Sequence, residues 1–151
     1  GGSVWLVRAQ RLVEGIPDCV ECGYLRLPLA FRLAAAGDYA AARAAAVEAI
    51  DDLKGRKLQV LDLRGITDAT DFFVIASGTS DAHVRGVADS VLTRLGRQGQ
   101  DAYHVEGLQG GRWVLLDYLD FVVHLFHPEA RSFYQLERLW GDAPVVFQGG
   151  E

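Results

Sequence analysis

A surplus of positive charge, a cysteine framework and a long apolar run are all missing from this chain of 151 residues. Fifteen Lys and Arg stand against twenty Asp and Glu, a net charge of −5. That balance excludes a generic nucleic-acid coat, because such binding rests on cations that neutralise phosphates. No direct DNA binding is expected, and the fitting partner is neutral or basic, such as a basic protein. Two cysteines, Cys19 and Cys22, cannot build a disulfide framework, which points to a reducing compartment. No apolar run approaches the ~18–20 residues that span a bilayer, so no membrane association is expected. The chain opens Gly1-Gly2-Ser3 without methionine, read as either a processed start or an engineered scar, and lacks the cationic head and apolar stretch of an export signal. A cytoplasmic location follows as the expectation.

What is present is ordinary globular composition, half hydrophobic and 23% charged. Residues 1–33 form an appendage of unknown role, broken by Pro17 and Pro28. From there the periodicity is readable. Asp38 is a candidate N-cap for an alanine-rich helix to about Lys54, with Val47, Ile50 and Leu53 on one face and Gly55 as its left-handed stop. Strands are expected over 58–63 and 72–77. Between Thr79-Ser80-Asp81, three candidate caps, and Gly96, the residues Val84, Val87, Ala88, Val91, Leu92 and Leu95 make the clearest helical stripe in the chain. Three more strands, 102–106, 112–118 and 121–126, are joined by hairpin-length connections. A final helix over 129–140 carries Phe133, Leu136, Leu139 and Trp140 inward. The expected fold is α/β, a mixed five-stranded sheet with flanking helices, in a domain over 34–141 followed by a loose tail, 142–151.

Candidate chemistry is sparse. Cys19-Val20-Glu21-Cys22 has the spacing of half a zinc site or a redox pair, but no second cysteine pair completes it, and two inert thiols are the simpler reading. His83, His104, His124 and His127 are dispersed, and His124 and His127 point to opposite faces of a strand end. No metal and no cofactor are expected. Asp71, Asp81, Asp117 and Asp120, near Ser77-Gly78-Thr79-Ser80, resemble the strand-end carboxylates and Gly-Ser turn with which nucleotidyl-transferring enzymes hold magnesium and a nucleotide. Two such carboxylates on one strand face stand two apart; Asp117 and Asp120 are three apart across a turn, which favours caps and turn residues. No Gly-x-Ser-x-Gly nucleophile signature exists either. No catalytic residues are assigned, and a nucleotidyltransferase using Ser77–Ser80 with Asp117 and Asp120 is the alternative reading. A surface argument remains. Trp113, Leu115 and Asp117 share one strand face, which is either an apolar anchor rimmed by charge or core, depending on whether helices cover both sides of the sheet.

At these residues the chain resembles the ribosomal silencing factor family, also called the Iojap family, from about Val47 to Trp140. The stretches that carry the resemblance are Thr70-Asp71-Phe72-Phe73-Val74-Ile75-Ala76-Ser77-Gly78-Thr79-Ser80, Gly111-Arg112-Trp113-Val114-Leu115-Leu116-Asp117, Val122-Val123-His124-Leu125-Phe126 and Leu136-Glu137-Arg138-Leu139-Trp140. The resemblance implies a nucleotidyltransferase-like core without transferase activity. It implies binding to the large ribosomal subunit through large-subunit ribosomal protein fourteen, exclusion of the small subunit, and damped translation when nutrients run short. By position it implies Trp113, Leu115, Asp117, Asp120 and His124 as partner-binding residues, and an aromatic anchor at Trp113 would contribute at least about 2 kcal/mol of binding. A second copy of the chain, paired through residues 1–33, is a further candidate partner. Many relatives carry Gly where this chain has Leu119, so the turn between the last two strands is expected to differ.

Overall fold

In the computed structural model the backbone is described over residues 29–150 and the side chains over 39–150. The Cys19–Cys22 pair and the pairing of copies through residues 1–33 lie outside the described residues. The elements, in order, are α1 (Leu29–Asp52), β1 (Arg56–Asp62), β2 (Phe72–Ser77), α2 (Asp81–Arg97), β3 (His104–Glu106), β4 (Trp113–Asp117), β5 (Phe121–Phe126), α3 (Pro128–Tyr134), α4 (Leu136–Leu139) and β6 (Val145–Gly149).

Alanine explains α1: it loses no side-chain entropy in a helix, and enough of it carries the helix straight through Gly37 and Asp38 rather than starting there. The left-handed residue after α1 is Lys54, φ 61, not the expected Gly55. Gly55 serves by its missing side chain, since a Cβ there would stand 2.3 Å from Ile50 Cγ2. At α2, Ser80 is the cap among the three candidates, its hydroxyl accepting from His83 N–H at 3.1 Å.

The sheet has six strands in the order β3-β4-β5-β2-β1-β6, one more than expected. The extra strand is β6, inside the stretch read as a loose tail: Val145, Phe147 and Gln148 pair antiparallel with Leu61, Val60 and Gln59. Two valines and a phenylalanine suit a pleated strand, but four residues between Pro and Gly-Gly carry little signal alone. β2 and β5 are parallel, Phe72 opposite Phe121 and Ser77 opposite Phe126, while the other pairs are antiparallel. Every residue of β2, β4 and β5 is buried, so both faces are covered. One core packs α1 and α2 on Val74, Ala76, Val114, Leu116, Val123 and Leu125. A second, on the other face, gathers Phe73, Ile75, Trp113, Phe126, Leu136 and Trp140.

The helix expected over 129–140 is two. Gln135 sits at φ 48 and breaks it, so Leu136 and Trp140 are buried as expected whereas Phe133, 79% exposed, and Leu139 point outward.

Candidate functional site

The residues expected to contact a partner lie on β4, β5 and the turn between them. Register sets Leu115 opposite His124, Trp113 opposite Phe126 and Asp117 opposite Val122. Trp113, Leu115 and His124 share the second face, where Trp113 is 3% exposed, Leu115 1% and His124 0%. The indole Nε1–H donates to His124 Nδ1 at 3.1 Å. The Trp113 ring lies 4.8 Å from Phe126 and 4.7 Å from Tyr134, and Phe73 meets His124 edge-on at 4.5 Å. The expectation of an exposed Trp113 anchor is thereby corrected: with both faces covered, the strand-face alternation that displayed the indole instead seals it.

Asp117 and Asp120 are buried too. Asp117 Oδ1 accepts from Leu119 N–H at 2.8 Å, and Asp120 Oδ2 accepts from Arg43 Nη1 of α1 at 3.3 Å. The turn is tied further by Thr70, whose hydroxyl donates to the carbonyls of Leu119 and Asp120 at 3.0 and 2.9 Å. Leu119 has φ 71, a left-handed backbone that favours glycine. Burial, then the neighbouring Asp71 carboxylate, push the Asp120 carboxyl up to about 7 against the pull of Arg43 and Arg64. Arg64 holds the Asp62 carboxyl below its ordinary range through a side-chain hydrogen bond. Arg43 and Arg64 both lie over the Phe72 ring, at 3.7 and 5.0 Å. These residues weld a sheet end to α1.

The nucleotide-holding arrangement does not assemble. Because β2 and β5 run parallel in register from Phe72 opposite Phe121 to Ser77 opposite Phe126, the Ser77–Ser80 turn and the β4–β5 turn lie at opposite ends of the sheet. Five residues of strand separate them by roughly 16 Å. Two of the turn's amides are also occupied: Gly78 N–H donates to Phe126 O and Thr79 N–H to His83 Nδ1, both at 2.9 Å.

What the sequence did not reveal is the outward face of α3 and α4. Phe133 meets only the edge of Tyr134, ring centroids 5.0 Å apart, among the described aromatic contacts, and Leu139 is 41% exposed. Glu129, Arg138 and Asp142 around them are exposed. No helix among the described residues is long and apolar enough to cross a membrane.

Fold and site together define an α/β domain whose strand-end carboxylates are structural and whose most exposed large apolar side chain, among the described residues, is Phe133 on a short helix, with Val145, Val146 and Phe147 also open on the edge strand. Comparison with known proteins gives the particular family. The family described as "Ribosomal silencing factor during starvation" matches residues 38–150, and the chain belongs to it. It is similar to the ribosomal silencing factor RsfS of Halalkalibacterium halodurans, 43% identical over 101 residues that make up 67% of this chain and 86% of that one. The Bacillus subtilis RsfS is 41% identical over the same shares. A crystal structure of a Chromobacterium violaceum protein, 37% identical, covers 66% of this chain and 83% of its own with a TM-score of 0.65.

Proposed function

We propose that the chain silences translation by occupancy. It binds the large ribosomal subunit at large-subunit ribosomal protein fourteen, stands where the small subunit must dock, and so represses translation in the cytoplasm when nutrients are limiting. The observation that carries this is the family match over residues 38–150. The buried, ion-paired Asp120 and the distance between the two turns support a role by binding, since neither leaves an open carboxylate pair for a metal and a triphosphate. Phe133 and Leu139, edged by Glu129, Arg138 and Asp142, take the place of Trp113 as an apolar anchor with a charged rim, suited to a protein partner. Trp113, Leu115 and His124 then act from beneath, holding Tyr134 and the helix that presents Phe133.

Purified subunits mixed with the chain provide the test. Light scattering should show subunit joining suppressed in proportion to the chain added. Phe133→Ala should weaken binding by roughly tenfold or more, as loss of a hot-spot aromatic does. Undisturbed joining at saturating chain, or heat on titrating magnesium and nucleoside triphosphates into the chain, would sink this reading in favour of the nucleotidyltransferase.

A further inference from the structure

The chain has two lysines, Lys54 and Lys57, three residues apart; its other thirteen cationic side chains are arginines. Both lysines, with Arg56 between them, are exposed at the corner where α1 ends and β1 begins. Elsewhere among the described residues, five of eight arginines are paired. Arg43, Arg64, Arg94, Arg112 and Arg131 each pair with a carboxylate. Lys54, Arg56 and Lys57 form no ion pair among the described residues, and Asp52, on the adjoining helix end, is already held by Arg94 at 2.8 Å. Asp51 is the one carboxylate of that helix end left to oppose three cations.

The corner is also rigid. Lys54 and Lys57 both have left-handed backbones, φ 61 and 49, the second at an irregularity in the β1–β2 pairing. Lys57 N–H donates to Gly150 O at 3.2 Å, and Gly150 packs so closely that a Cβ there would stand 2.3 Å from Gly55 O. From below, Arg131, fixed by Glu137 at 2.5 Å, donates to Arg56 O at 3.4 Å. Beside the corner runs an open groove of about 410 Å³, lined by Lys57, Gln59, Arg131, Gln148, Gly149 and Gly150. Cations and amide side chains line it together with the apolar Leu58.

We propose that Lys54, Arg56 and Lys57 bind the phosphodiester backbone of ribosomal RNA on the large subunit, beside the protein contact made by α3. Three exposed cations opposed by one unpaired carboxylate among the described residues suit a repeating anion, even in a chain whose overall charge is −5. The inference rests on the large subunit being the target, and it joins the two contacts through Arg131, two residues before Phe133.

The test is co-sedimentation of the full chain with large subunits, comparing it with the Lys54→Gln/Arg56→Gln/Lys57→Gln variant. Neutralising three phosphates should make the unaltered chain lose roughly 20- to 40-fold more affinity than the variant between about 50 and about 200 mM salt. Arg97→Gln, an exposed cation on α2, should keep the full salt dependence. A photoreactive side chain replacing Arg56 should crosslink to RNA. Equal salt slopes for chain and variant, or a crosslink to a ribosomal protein, would overturn the RNA contact while leaving the silencing reading intact. An unaltered chain that does not pellet would overturn the silencing reading, and this inference with it.

Discussion

The two faces of the sheet are filled by opposite means. Under α1 and α2, helices of 24 and 17 residues, the helices present alanines and valines, Ala42, Ala45, Ala46 and Ala49 beside Val84, Val87 and Val91, and the rings of that core, Phe72, Tyr118 and Phe121, come from the sheet side. Under α3 and α4, of 7 and 4 residues, the core uses rings: Phe73, Trp113, Phe126, Tyr134 and Trp140. Long helices lie close to a sheet when their facing side chains are small, and they cover it by their own length. Two short helices cannot cover a five-residue strand that way, so large side chains span the remaining space and one imidazole is enclosed among them. The covering of one face is thus local in sequence. That of the other depends on where a broken helix comes to rest.

The strongest way to break the comparison is to change volume in opposite directions. Trp113→Ala, which empties the ring-filled face and orphans the His124 hydrogen bond, should destabilise by about 3–5 kcal/mol in urea unfolding. Ala46→Leu, which overfills the alanine face, should cost about 1–3 kcal/mol by forcing the helix away from the sheet. If the tryptophan variant unfolds at the same urea concentration as the unaltered chain, the second face is not a core.

This asymmetry also explains what was legible. Strands over 72–77 and 121–126 and the α2 stripe could be read from residue type alone, because period and burial agree there. The break at Gln135 could not, since a left-handed glutamine carries no glycine signal, and with it went the outward turn of Phe133. Nor could the strand face of Trp113 settle whether that face is covered, because alternation orders side chains without saying what lies over them. Family resemblance identified the chain, yet it could not correct these burial assignments.

A second prediction separates the two carboxylates beside the arginine pair at the end of the sheet. Asp120 ordinarily titrates near 3.8 but is pushed up to about 7 in the fold. Between those values the folded chain keeps a proton that the unfolded chain has released. The Asp120 contribution is therefore full below the ordinary value and declines as pH rises through about 7. Asp62, held low by Arg64, works with opposite sign and in a lower window, its contribution lost as pH falls below the ordinary carboxylate range. Asp120→Asn should flatten the decline in melting temperature between these limits while leaving the acid limb unchanged. An unchanged profile above pH 5 would show that Asp120 does not keep its proton there.

The smallest expected effect lies at the turn that joins β4 to β5. Asp120 N–H donates to Tyr118 O at 2.9 Å across Leu119, so the reversal is tight and Leu119 is its left-handed centre, φ 71. A left-handed backbone places Cβ against the following carbonyl, at about 1–2 kcal/mol for most residues. Leu119→Gly relieves that strain but frees the unfolded chain, so the net gain should be about 0.5–1 kcal/mol. Thr70 and Asp117 hold the turn from both sides, and their bonds end on backbone atoms that the substitution keeps. Calorimetry should therefore show a higher melting temperature with unaltered binding to the large subunit. A lower one would mean that the partly buried leucine contributes more by packing than its backbone loses.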